Sequence, residues 1–135
     1  MTDAQKIANA MSGGPSSISK NATIMDFPES PMAPPRQLRA GTNGWICFPA
    51  SPPTPGTMAI QDPSCLDKAW QAFFTAFMSK NPPPAGLSGI AYMPRGDRGA
   101  SNVDPFAEAP TPTNLWVVSP GHVMLLLPDP KALDA

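Results

Sequence analysis

Apolar residues along this chain recur with two spacings, and the longer one is the easier to see. Over residues 62–80 (DPSCLDKAWQAFFTAFMSK), Leu66, Ala69, Trp70, Phe73, Phe74, Phe77 and Met78 fall at i, i+3, i+4, i+7, i+8, i+11 and i+12. That spacing predicts one long amphipathic α-helix with a continuous aromatic face. Asp62 is placed to accept from the first free N–H groups as N-cap, and Pro63 suits the first helical position because its missing N–H would be orphaned there anyway. Residues 2–11 (TDAQKIANAM) carry a weaker version of the same spacing, with Ile7, Ala8 and Met11 on one face and Thr2 as a cap. Gly13, Gly14 and Pro15 end that segment.

The shorter period, two, marks strands. Residues 22–27 (ATIMDF) place Ile24 and Asp26 on one side and Met25 and Phe27 on the other. Residues 37–40 and 45–48 flank Gly41-Thr42-Asn43-Gly44, and Asn-Gly between β-capable segments predicts a hairpin. On its second arm Trp45 and Cys47 share one face, and Ile46 and Phe48 the other. Residues 89–93 (GIAYM) predict a strand. Residues 114–118 and 122–127 predict a second hairpin, two strands joined by a turn at Ser119-Pro120-Gly121. The residue before proline avoids helical geometry, so Asn81-Pro82 ends the aromatic helix. The expected class is α+β: a small antiparallel or mixed sheet of four to six strands, with the long helix packed on one face and proline-rich loops between. The expected organisation is an N-terminal helix and linker over 1–20 and a single domain over 21–135.

Composition alters this picture in one respect. The chain has 135 residues, of which 20 are proline, about three times the usual share. They cluster in 28–35, 49–63, 82–84 and 94–112, between the periodic segments, so they read as stiff connections and not as a polyproline ligand. Three Trp and six Phe with a helical stripe argue against low-complexity disorder. Charged residues make up 14% and the formal net charge is −1, with no basic run to neutralise phosphates, so nucleic acid is not an expected partner. The longest apolar run, 123–127, has strand length and is far short of the roughly 20 residues of a membrane span. No secretory leader is recognisable in residues 1–11.

Candidate chemistry is sparse. Cys47 and Cys65 are the only cysteines. One reading is a disulfide fastening the start of the aromatic helix to the hairpin arm, which would imply an oxidising compartment. The other is a reactive thiol at Cys65 in the first helical turn, where the helix dipole favours thiolate, with Cys47 as resolving partner or the lone histidine, His122, as base. His122 opens the last strand and is also a candidate metal ligand or ligand contact. Two cysteines eighteen positions apart and one histidine do not make a structural zinc set. Asp97, Asn102 and Asp104 are oxygen donors in one loop, but such residues commonly cap turns. No phosphate-binding glycine loop, GxSxG or HExxH occurs, and no cofactor is expected.

Several blocks taken together resemble a family of small bacterial proteins of unassigned function, often carrying an export signal: ATIMD (22–26), GTNGWICFP (41–49), DPSCLD (62–67), GIAYM (89–93), SNVDPFA (101–107) and GHVMLLLPDP (121–130). The resemblance runs from about residue 10 onward. It implies a periplasmic or secreted setting, with any leader absent from this chain, and agrees with the disulfide reading. It implies no activity. Two departures stand out. Relatives tend to have proline directly before the histidine, where this chain has Gly121. They also tend to continue beyond the 121–130 block through a glycine-rich stretch to a further strand with its own histidine, so that an edge strand and a second histidine to pair with His122 are expected outside this chain. The leading expectation is a non-enzymatic exported domain that binds a protein partner or small ligand between helix and sheet, lined by Trp45, Tyr92, Trp116 and His122. The alternatives are a thiol-dependent enzyme or redox protein using Cys65 with Cys47, and a metal-binding protein using His122.

Overall fold

The computed structural model describes residues 1–30, 32–56 and 61–134; parts of the proline-rich connections 28–35 and 49–63 lie outside these. The class is α+β, with a six-stranded mixed sheet and a separate two-stranded one. In chain order the elements are α1 (Asp3–Met11), α2 (Ser16–Ser19), β1 (Thr23–Asp26), β2 (Arg36–Arg39), β3 (Ile46–Phe48), β4 (Ser64–Leu66), α3 (Lys68–Met78), β5 (Gly89–Met93), β6 (Ala100–Ser101), β7 (Trp116–Val117), β8 (His122–Leu126) and a 3₁₀ turn at Pro130–Leu133. The main sheet runs β2-β1-β3-β4-β5-β8, and β6 pairs with β7 alone. Among the described residues no helix is long and apolar enough to cross a membrane.

Helix α1 forms where the capping chemistry puts it. Thr2 accepts from the Gln5 N–H, and the Gln5 side chain accepts from the Thr2 N–H, a reciprocal capping box. Its inner face, Ile7, Ala10 and Met11, covers a core made of Ala22, Ile24, Cys47 and Cys65. Lys6 reaches the nearly buried Asp26 carboxylate at the end of β1. Arg36 on β2 grips Asp3 with two parallel bonds of 2.7 and 2.9 Å. That guanidinium holds the Asp3 carboxyl below its ordinary range. The stabilisation is present above the ordinary carboxylate pKa and is lost as pH falls through the lowered value.

The aromatic helix is shorter than its spacing predicts. Residues 64–66 form strand β4, and α3 begins after Asp67, not after Asp62. Leu66 fits the helical count because, as a strand residue, it faces the same core as Trp70. The Asp67 carboxylate decides the start: Oδ1 accepts from the Trp70 N–H at 2.9 Å and Oδ2 from the Ile90 N–H of β5 at 2.7 Å. Asp62 instead accepts from the amide and hydroxyl of Ser51. At the other end α3 stops at Met78; Lys80 adopts a left-handed conformation (φ 54°), and Asn81 N–H bonds back to Ala76 O, closing the helix end just before Pro82. Trp70, Leu66 and Ala91 are the buried centre on this side, with Phe48, Phe73, Phe74, Met124 and Leu126 around them. The sheet is thus covered by α1 on one face and α3 on the other.

Both expected hairpins are overturned. Strands β2 and β3 do not pair with each other; β1 lies between them, antiparallel to β2 and parallel to β3. The Gly41–Gly44 turn folds over the start of β1: the N–H of Thr42 donates to Asn21 O, and the Asn43 side chain donates to Ile18 O. Gly41 is required there, since a Cβ would stand 2.2 Å from the Thr23 nitrogen. At the C-terminal end, β7 leaves to pair with β6, and β8 joins the main sheet beside β5. Ser119-Pro120-Gly121 is therefore a connection between two sheets. Asn-Gly and Pro-Gly specify a local reversal, but the pairing partner depends on which strand the reversed segment meets.

Replacing Asp67 by Ala removes a helix cap and leaves the Ile90 amide without its acceptor. It should lower the unfolding free energy by about 2 kcal/mol, as read from urea denaturation. An effect within error would show that the carboxylate does not set the helix start.

Candidate functional site

The two cysteines are joined. Cys47 on β3 and Cys65 on β4 are directly opposite in an antiparallel pair, with Cα atoms 4.1 Å apart, the close spacing of a non-hydrogen-bonded position. Both are fully buried beneath α1, and neither thiol is free. The link therefore spans two neighbouring strands and does not tie a helix start to a hairpin arm. Cys65 is also outside any helical turn, so the dipole activation expected for it does not operate. Gly14 permits this packing, because a Cβ there would lie 2.9 Å from the Cys65 sulfur.

The four expected lining residues do not gather in one pocket. Trp45 and Tyr92 are brought together, ring centres 5.8 Å apart, on the α1 side of the sheet. Trp116 belongs to the small sheet, where its indole N–H donates to Arg98 O. His122 projects from the opposite side of β8 to Val123. Its Nδ1 lies 2.7 Å from Pro120 O, and its Nε2 lies 3.9 Å from an Asp97 carboxylate oxygen. The other Asp97 oxygen accepts from the amides of Gly99 and Ser119, so Asp97 holds its loop to the β7–β8 connection. Asp104 caps its own turn at Phe106. Among the described residues no three or more His, Cys, Asp or Glu are placed to share a metal ion.

Two features escaped the pattern of the sequence. The first is a cleft of about 250 Å³ at the carboxyl ends of β1 and β3, lined by Lys6, Asp26, Phe27, Pro49, Ala50 and Arg98 among others. Its charges are already engaged: Lys6 meets Asp26, and Arg98 donates to Ser51 O and Pro52 O at 2.6 Å each. Arg98 also lies 3.8 Å from Asp62, so this corner fastens the 51–53 loop to the 97–99 loop. No residue spacing foretells that contact, because the two loops are far apart in the chain.

The second feature is an uncovered strip of sheet. Register places Tyr92 between Cys65 and Val123, and Ile90 beside Leu125, so these residues share the α1 face. Helix α1, however, lies over β1 to β4. Beyond it Val123 is 49% exposed and Leu125 64%. β8 is also the last strand of the sheet, with no strand paired to its outer side among the described residues. The signal was present in the alternation of 122–127, but nothing in that alternation says which face a helix will reach.

No family model, curated protein or solved structure matches the chain.

Substituting both cysteines by Ala should lower the unfolding free energy by about 3 kcal/mol, the loop-closure value for this separation. The unaltered protein should take up an alkylating agent only after reduction in denaturant. Rapid labelling of the native protein, followed by mass spectrometry, would contradict the buried crosslink.

Proposed function

We propose that this chain is a non-catalytic binding domain of an oxidising, exported setting, and that it engages a protein partner through the β5–β8 strip. The observation that carries this reading is the apolar row Val123 and Leu125 on an edge strand that neither helix covers. Exposed rows of this kind on a sheet edge favour strand addition, in which backbone hydrogen bonds supply affinity and alternate side chains supply selectivity. Covering each of the two side chains is worth about 1–2 kcal/mol at the exposures found here. Tyr92 and Trp45 continue the row inward, which keeps two of the expected contact residues in the binding surface. Trp116 and His122 fall outside that row.

A small ligand is the weaker choice. The cleft beside β1 and β3 is below the usual volume of ligand pockets, and its charged groups are satisfied by one another. The buried cysteine crosslink supports an oxidising compartment, and the resemblance to exported bacterial proteins points the same way. The crosslink also leaves no thiol for nucleophilic chemistry without prior reduction.

Displayed extended peptides with alternating apolar and polar positions test the reading. Peptides selected on the unaltered chain should bind Leu125→Lys at least about tenfold more weakly, while Lys6→Ala in the cleft leaves binding unchanged. Equal binding to Leu125→Lys, or loss with Lys6→Ala alone, would move the partner site away from β8.

A further inference from the structure

Resting on that reading of the β5–β8 strip, we propose that its occupant is a second copy of this chain. The second copy adds antiparallel along β8 about a two-fold axis through Met124. The sheet would then run continuously through both copies, β2 at each outer end.

The pattern of β8 is self-complementary about Met124. An antiparallel pairing centred there sets Val123 opposite Leu125 of the second copy, and Leu125 opposite its Val123. The two exposed apolar pairs then form one unbroken row on the α1 side, continuous with Ile90 and Tyr92. On the other side Met124 meets its own counterpart, and His122 meets Leu126. The only ionisable group on the strand therefore never faces its own copy, and no like charges oppose the pairing. A charged partner would find nothing on this strand to select it.

The two edges of the sheet are unlike, and that difference decides the size of the assembly. β8 carries no Lys, Arg, Asp, Glu or Pro within residues 122–127. The opposite edge, β2, reads Arg36-Gln37-Leu38-Arg39, and its two charged side chains discourage strand addition. Pairing through β8 leaves only β2 edges exposed, so it closes at two copies and does not propagate into a fibre. The strand is short, about 17 Å long, and covers on the order of 400 Å² per copy against roughly 800 Å² in a standard stable interface. The pair is therefore a weak one that forms and dissociates with concentration.

Sedimentation velocity on the 135-residue chain in non-reducing buffer tests this across about 1 to 500 µM, the range in which an interface of this size associates. A reversible monomer–dimer equilibrium is expected, weakened at least about tenfold by Leu125→Lys, which places lysines across the two-fold axis. Met78→Lys, also exposed but on α3, should leave it unchanged. Mixing isotope-labelled with unlabelled chain should give intermolecular contacts between Val123 and Leu125. A chain that stays monomeric at every concentration, or a dimer indifferent to Leu125→Lys, overturns the second-copy proposal. If the selected peptides still bind β8 in that case, only this proposal falls; if they also fail to bind, the partner-surface reading falls with it.

Discussion

The bond between Cys47 and Cys65 joins β3 to β4 at the centre of the sheet, where the chain returns from its longest proline-rich connection. Neither strand is more than three residues long, and three residues supply too few ladder hydrogen bonds to hold a register unaided. A covalent link between directly opposite residues removes the alternatives. Once β3 and β4 are in register, β1 can lie parallel to β3, and β5 can add to β4. The crosslink lies under α1, so the same contact that sets the register also anchors the first helix.

From that centre the two faces of the sheet are finished differently. On the α3 face, Trp70 fills the middle and donates its indole N–H to Met124 O of the last strand, so the cover reaches β8. A chain of ring contacts continues outward along the helix from Trp70 through Phe73 and Phe77 to Phe106. On the α1 face the helix is nine residues long, about 13 Å at the helical rise, and it packs mainly on β1 to β4. The sheet is wider than its cover by two strands. The unsatisfied surface is thus a result of helix length set against strand number, and it falls at the edge that carries no charge.

Much of this is legible in the amino-acid sequence. The first helix with its Thr2 cap, the strand around Ile24, the strand at 89–93 and the strand from His122 all lie where their periods put them. The aromatic helix was legible in type but not in extent, because Leu66 keeps the helical count while belonging to a strand. The competing caps, Asp62 and Asp67, are the same residue type. What separates them is that only Asp67 has the Ile90 amide within reach, a contact across 23 positions of chain. The two hairpins failed for a related reason: a turn motif specifies that the chain reverses, not that the flanking strands become neighbours.

Local pattern by itself determined the class, the presence of both helices and the alternation of each longer strand, since these depend on residues a few positions apart. It did not fix the helix faces, for α1 buries Ala10 where Ala8 was expected and α3 leaves Met78 exposed. Only the tertiary structure decided the strand order, the opposition of Cys47 and Cys65, the scattering of Trp116 and His122 away from Trp45 and Tyr92, and the bare edge at β8. Each of these is a juxtaposition of distant segments. Its energy comes from burial and hydrogen bonding between elements, and no count of spacings along one segment contains it.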